Sequence, residues 1–157
     1  MHNQTKERKF AGEVGVLLGQ MGMPPAFGRL LGWLLICDPP AQTSAQLSEA
    51  LGLSKGSVST GMRMLERAGL VHRVPMPGGR LRGHAYEMAA DGLVRATDPA
   101  LRFGMLRDVM DKGLAVLEDP DSDRARRLRV TRDFYAFAAV RIPELMEEFR
   151  NQYLRKD

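Results

Sequence analysis

One cysteine, Cys37, and three histidines in 157 residues leave little material for two common kinds of chemistry. A lone thiol cannot build an internal disulfide framework, and such sparing cysteine use suits a reducing compartment. His2, His72 and His84 have no Cys or carboxylate at metal-ligand spacing, so no metal site is expected. No run approaches the roughly 20 apolar residues needed to span a bilayer. The first ten residues, MHNQTKERKF, lack the apolar stretch of a secretory signal, so a cytoplasmic protein without a membrane partner is expected. Gly78-Gly79 lacks the Gly-Lys-Ser/Thr ending of a phosphate-binding loop. Asp119, Asp121 and Asp123 imitate the start of a calcium loop. However, Arg124 stands where the turn glycine belongs and Val130 where the bidentate Glu belongs. That cluster reads instead as a loop and helix N-cap. No catalytic, cofactor or metal constellation survives, and the chain reads as a non-enzyme.

What is present is an ordinary globular composition, 44% hydrophobic and 27% charged, at a length that favours one compact domain. The formal charge of +4 matters less than its distribution. Between Gly52 and Tyr86 there are six basic side chains (Lys55, Arg63, Arg67, Arg73, Arg80, Arg82) against one acid, Glu66. Residues 101–157 carry twelve basic and eleven acidic side chains. A local basic patch on a near-neutral scaffold suggests a polyanion met at one surface.

Thr43 to Gly69 is the stretch with the clearest punctuation. Thr43 and Gln46 form a capping-box pair that starts a helix, and Gly52 can end it in the left-handed conformation. Ser54 is an N-cap for a second helix, with Leu53 and Val58 placed as a hydrophobic staple, and Gly69 closes it. The segment reads as helix-turn-helix. At about 100° per residue, Val58, Gly61, Met62 and Leu65 share the inward face of the second helix. Gly56, Thr60, Arg63 and Arg67 lie opposite, with Lys55, Ser57 and Ser59 around the helix start. Small and hydroxyl residues allow close approach to DNA, Arg can bind guanine edges in bidentate fashion, and Lys or Arg can neutralise phosphate. A solvated face with ordinary surface charges is the plain alternative.

Ahead of this motif, Phe10, Val14, Leu17 and Met21 recur at helical spacing from about Thr5 to Met21. Gly12, Gly15, Gly19 and Gly22 make a neighbouring stripe, which implies that another backbone packs closely there. Pro24-Pro25 starts the next helix. There Leu30, Leu31, Trp33, Leu34, Leu35 and Ile36 are apolar nearly all round, as in a central buried helix. Asp38-Pro39-Pro40 stops it.

After the motif, Leu70–Met76 and His84–Met88 are short β-prone runs around Pro77-Gly78-Gly79-Arg80-Leu81-Arg82-Gly83, a hairpin with a long tip. Arg80 and Arg82 at that tip read either as a soluble basic loop or as a wing reaching backbone or minor groove. Asp98 is an N-cap for a helix to about Glu118, with Leu106, Val109, Met110, Gly113, Leu114 and Leu117 on its apolar face. A last helical stretch covers about Ser122 to Leu154, and Pro143 should kink or divide it near Ile142. Its heptad-like seam is Leu128, Thr131, Tyr135, Ala138, Ile142, Leu145, Phe149 and Gln152. So much apolar face on a small domain favours a paired arrangement.

Arg124, Arg126, Arg127, Arg129 and Arg132 suggest pairing with nearby acids or a second subunit, or a distal phosphate contact. Cys37, with no basic neighbour to lower its pKa, reads as an inert packed thiol rather than a redox sensor. Phe134, Tyr135 and Phe137, with Trp33 or Phe103, could line a ligand pocket; core or dimer seam is the simpler reading.

The order Gly-Met-Pro-Pro, a buried helix ending Asp-Pro-Pro, then QLSEALGLSKGSVSTGMRMLERAGLVHRV and a PGGR wing resembles the GbsR-type branch of the MarR family. The match is closest at Ser54–Ser59, good across roughly residues 22–95 and loose in the terminal helices. The resemblance implies a homodimeric winged helix-turn-helix transcriptional regulator, and an effector, choline being one example among related regulators. The expected fold is mostly α with a small β-hairpin wing. Residues 1–23 and 93–157 form dimerisation helices, and 24–92 the DNA-binding region.

The expected partners are double-stranded DNA, a second copy and a small-molecule effector, with no cofactor. Lys55, Ser57, Thr60 and Arg63 are the expected base- or groove-facing residues. Ser54 and Ser59 are further expected DNA-binding residues near the helix start, while Arg67, Arg80 and Arg82 fall on phosphate or minor groove. A winged-helix interaction module holding an acidic protein is the alternative, with an effector-binding protein of secondary DNA role as a third reading.

Overall fold

The computed structural model describes residues 2–76, 78, 83–96 and 99–154. The chain divides into two compact units, Met1–Leu93 and Val94–Asp157. The first contains α1 (His2–Gln20), α2 (Pro25–Ile36), α3 (Ser44–Leu51), α4 (Lys55–Arg67), β1 (Val71–Pro75) and β2 (His84–Met88). A short α5 (Gly92–Ala96), which no periodicity or capping residue announces, spans the division. The second unit contains α6 (Ala100–Val116) and α7 (Asp123–Phe149), which continues into a π-helical turn at Arg150–Leu154. No described helix is long and apolar enough to cross a membrane.

α2 is the central element of the first unit, as its all-round apolar pattern requires. Phe27, Leu30, Leu31, Trp33 and Leu34 are buried, whereas Leu35 and Ile36 at its end are exposed, contrary to expectation. Pro24 precedes the first turn and Pro25 opens it, where the missing N–H costs nothing. The helix packs on α1, α3, α4 and β2. The core joins it to Leu47, Val58, Met62 and Leu65, each fully buried and worth about 1.5–3 kcal/mol on transfer from water.

α1 corrects the sequence reading twice. Its buried face is Ala11 and Gly15, while Phe10, Leu17 and Met21 of the expected stripe are exposed and Val14 is half-buried. Of the glycine stripe, only Gly15 meets a neighbour: a Cβ there would stand 2.7 Å from Arg29 Cγ, whereas Gly12, Gly19 and Gly22 face open space. The close approach comes mainly from α2. Added Cβ atoms at Gly28 and Gly32 would stand 2.7 Å from the Gly15 Cα and 2.9 Å from the Ala11 Cα.

In the second unit α7 packs along α6, with Leu128 against Gly113, Phe103 stacked on Tyr135 and Arg132 paired to Asp111 at 2.9 Å. Leu128 and Tyr135, two members of the expected inter-subunit seam, therefore face α6 of the same chain. Leu145 and Phe149 of that seam are exposed, and so are Val130, Phe134, Phe137 and Val140, which lie outside it. Leu106 and Val109, expected on the apolar face of α6, are also exposed.

Pro143 lies inside α7 without ending it. Proline removes one backbone hydrogen bond, and the helix resumes on both sides. Ser122 caps α7 by accepting from the Ala125 N–H at 3.2 Å, and Asp119 accepts from the Asp121 N–H at 2.9 Å. The aspartate cluster is thus a loop and cap. Asp98, the expected cap of α6, lies outside the described residues.

Candidate nucleic-acid interface

The helix-turn-helix forms as its capping residues dictate. Thr43 Oγ1 accepts from the Gln46 N–H at 3.2 Å while the Gln46 side chain accepts from the Thr43 N–H at 2.8 Å, completing the capping box. Gly52 takes φ +61°, and the Gly52 and Leu53 N–H groups both turn back to the Ser48 carbonyl. The turn is then pinned by Ser48 Oγ donating to the Leu53 carbonyl at 2.6 Å. Ser54 opens α4 by accepting from the Ser57 N–H at 3.1 Å. Gly69 closes it at φ +71°, with the Leu70 N–H on the Leu65 carbonyl at 3.0 Å.

These ends fix the rotation of α4 about its axis. Val58, Gly61, Met62 and Leu65 point inward, and Gly61 is so close to α2 that a Cβ would stand 2.4 Å from Leu30 Cδ1. The opposite face follows from helical geometry. Lys55, Gly56, Ser59, Thr60, Arg63 and Arg67 are exposed, and Ser57 is half-buried. Lys55, Arg63 and Arg67 enter no ion pair among the described residues, so their charge is directed to solvent. Ser54 and Ser57 are partly committed: their hydroxyls bond each other at 2.9 Å while Ser54 caps the helix. The open N-terminal turn of α4 adds backbone N–H groups suited to a phosphate.

β1 and β2 pair antiparallel, Val71 opposite Met88 and Pro75 opposite His84, and form a two-stranded ribbon directly after α4. Arg73 ties the ribbon to α4: its Nε and Nη2 reach the two Glu66 oxygens at 3.1 and 3.2 Å, and its guanidinium lies over the Tyr86 ring. This pair cancels one unit of the basic patch counted in the sequence, and joins a helix to a strand in a way no local spacing announces. Arg80 and Arg82, the expected wing-tip residues, lie outside the described residues.

Gln42 is a second residue the sequence did not single out. It exchanges backbone hydrogen bonds with Tyr86 at 2.9 and 2.8 Å and adds a bridge to the edge of the ribbon. Its buried side chain donates to the Pro39 carbonyl at 2.7 Å and accepts from the Trp33 indole at a long 3.4 Å. Gln42 thus ties the loop entering α3 to both α2 and β2.

Cys37 caps the end of α2, half-buried, with its thiol directed to the Leu34 and Pro40 carbonyls. Burial, with lesser repulsion from Asp38, Glu7 and Glu87, pushes its pKa up to about 11, so the unreactive thiol form prevails at neutral pH. The aromatic cluster of the second unit is Phe103, Phe134 and Tyr135 in mutual ring contact.

A helix with a fully buried back and an exposed Lys/Ser/Thr/Arg ridge, entered through a capped turn and followed by an antiparallel ribbon, defines a winged helix-turn-helix DNA-binding protein. The comparisons agree. A MarR family model matches residues 21–80, and a model described as MmpR5-like MarR family transcriptional regulator matches residues 87–152. The chain is 37% identical over 134 residues to the HTH-type transcriptional regulator MmpR5 of Mycobacterium tuberculosis (strain ATCC 25618 / H37Rv), covering 82% of this chain and 78% of that protein. Its fold is similar to a crystal structure of a transcriptional regulator, with TM-score 0.78, 30% identity, and coverage of 93% of this chain and 99% of the other. The protein belongs to the MarR family of DNA-binding transcriptional regulators. Its relatives are regulators rather than enzymes.

Proposed function

We propose that this regulator is a cytoplasmic homodimer that reads an inverted-repeat operator in double-stranded DNA. The observation that carries this reading is the uncommitted ridge of α4: Lys55, Ser59, Thr60, Arg63 and Arg67 exposed above Val58, Met62 and Leu65, which are fully buried. Lys55, Ser57, Thr60 and Arg63 address base edges or the groove floor. Ser54 and Ser59 approach the backbone at the helix start, and Arg67, Arg80 and Arg82 meet phosphate or minor groove. Residues 24–92 form the reading region, and 1–23 with 93–157 supply the dimer. Support for the dimer is the exposed apolar surface on both flanks, Leu17 and Met21 on α1 and Val130, Phe134, Phe137 and Val140 on α7. Control by a small-molecule effector, and a place in the GbsR-type branch, rest on the sequence resemblance alone.

Selection of bound fragments from the source genome, followed by footprinting, tests the reading. An inverted repeat with half-sites about 10 bp apart, or a multiple of that, is the expected product. Sequence-blind binding, or retention of an acidic protein with no duplex preference, would favour the interaction-module alternative.

A further inference from the structure

The charges of α7 are arranged against its own dipole. Residues 123–132 hold five arginines and one aspartate, and residues 133–149 hold four acids and one arginine. The first turn therefore carries Arg124 and Arg126 beside Asp123, and the turn ahead of the C-cap Arg150 contains Glu147 and Glu148 with no basic residue. A helix alone favours the opposite placement, acids at the N-terminus and bases at the C-terminus. α6 does not account for it. Arg132 alone among the five N-terminal arginines pairs with an α6 acid among the described residues, and Arg124, Arg127 and Arg129 enter no ion pair there. The other pairs on α7, Arg126 with Asp123 and Arg141 with Glu144 at i,i+3 and Arg132 with its neighbour Asp133, run along the helix itself and are exposed. Such pairs hold little energy and exchange readily.

Helical geometry places the segregated charges and the exposed apolar residues on one face. At about 100° per residue, Arg126, Val130, Asp133, Arg141, Glu144 and Glu148 all fall within about 40° of Phe137. That direction is opposite to Leu128 and Tyr135, which pack on α6. Val130 and Phe137 are 68% and 65% exposed on this face, large apolar surfaces open to a partner.

We infer that α7 pairs antiparallel with α7 of a second copy, about a two-fold axis at Phe137. This rests on the homodimer reading and deepens it. In a two-fold interface residue i meets j while j meets i. With Phe137 against the partner's Phe137, Arg126 falls beside the partner's Glu148 and Asp133 beside the partner's Arg141. Val130 then lies level with the partner's Glu144, its methyl groups against the stem of that side chain. Each helix end meets charge of the opposite sign, and the partner's acids lie where the dipole of α7 wants them. A parallel pairing would set the arginine-rich ends side by side. The antiparallel register is thus favoured by charge as well as by the apolar face, and the flanking charges fix alignment as they do in coiled coils.

Sedimentation equilibrium on the full chain tests the pairing, with Arg126→Glu, Glu148→Arg and the two combined. Each single reversal should weaken the dimer at least about tenfold, and the combination should recover most of that loss, because the new charges again meet as opposites. In a Cys37→Ser background, Phe137→Cys should give a disulfide-linked dimer on mild oxidation, since residues at the axis of helices about 8–10 Å apart come within disulfide reach. A wild-type dimer that ignores both reversals and gives no Phe137→Cys cross-link would overturn the α7 pairing while leaving the homodimer intact. A wild-type chain that stays monomeric overturns both.

Discussion

Gly28 of α2 lies so close to Gly15 of α1 that a Cβ on Gly28 would stand 2.7 Å from the Gly15 Cα and 3.0 Å from the Val14 carbonyl oxygen. Both obstacles are backbone, which cannot rotate aside. Gly28→Ala should therefore force the helices apart and destabilise the protein by about 1–3 kcal/mol, the usual cost of overpacking. Gly12, on the same α1, faces open space. Gly12→Ala should stabilise the helix by up to about 1 kcal/mol through propensity alone. Denaturant titration of both variants checks this contrast, and similar midpoints would mean that α1 and α2 do not meet as described.

The same contact shows where the sequence was legible. Local rules carried the ends of the helix-turn-helix, because a cap and a left-handed glycine are decided within four or five residues: Thr43, Gly52, Ser54 and Gly69 all take their expected places. The ribbon was legible from Gly and Pro punctuation. Long-range pairing was not. A glycine stripe on α1 announces a close neighbour, but which glycines meet it depends on the helix crossing, and Gly28 and Gly32 carry the approach instead. Likewise α7 has two apolar faces, and periodicity alone could not tell which one belongs to α6. The exposed ridge of α4 was legible because one buried face fixes its opposite; the Arg73–Glu66 pair was not, because it joins a strand to a helix.

Gln42 offers a test of the loop that leads into the motif. Its amide group serves the Pro39 carbonyl and the Trp33 indole within a buried site. Gln42→Leu keeps the backbone bridge to Tyr86 but strands both partners. A loss of about 1–3 kcal/mol is expected from the unsatisfied groups. Thermal unfolding should show it as a lower midpoint, and an unchanged midpoint would mean that the side chain contributes nothing beyond filling space.

Cys37 should behave as a poor nucleophile. With its pKa pushed up from 9.0 to about 11, alkylation should be slow at neutral pH and accelerate only toward that upper value. The fold favours the protonated thiol. Its contribution to stability is therefore fully present below the unfolded value of 9.0 and is lost as pH rises through about 11. Alkylation rates followed by mass spectrometry across this range provide the check. Rapid labelling at pH 7 would contradict the packed environment, as would loss of DNA binding in Cys37→Ser.

The two arginines of α4 should fail in different ways. Arg63 projects from the middle of the exposed ridge, level with the groove floor in the proposed docking, whereas Arg67 lies a turn further on at the helix end. A bidentate contact to a base edge discriminates sequence, so Arg63→Ala should cost about 1–3 kcal/mol on the operator and little on unrelated duplexes. A phosphate contact carries no sequence information but releases counterions. Arg67→Ala should then weaken all duplexes alike and lower the salt slope by about 1. Mobility shifts at several salt concentrations, on operator and scrambled DNA, separate these outcomes. If both variants bind as wild type, α4 is not the reading helix, however well its ridge is exposed. If their effects are interchanged, the helix lies in the groove with its axis turned, and the base contacts belong to its C-terminal end.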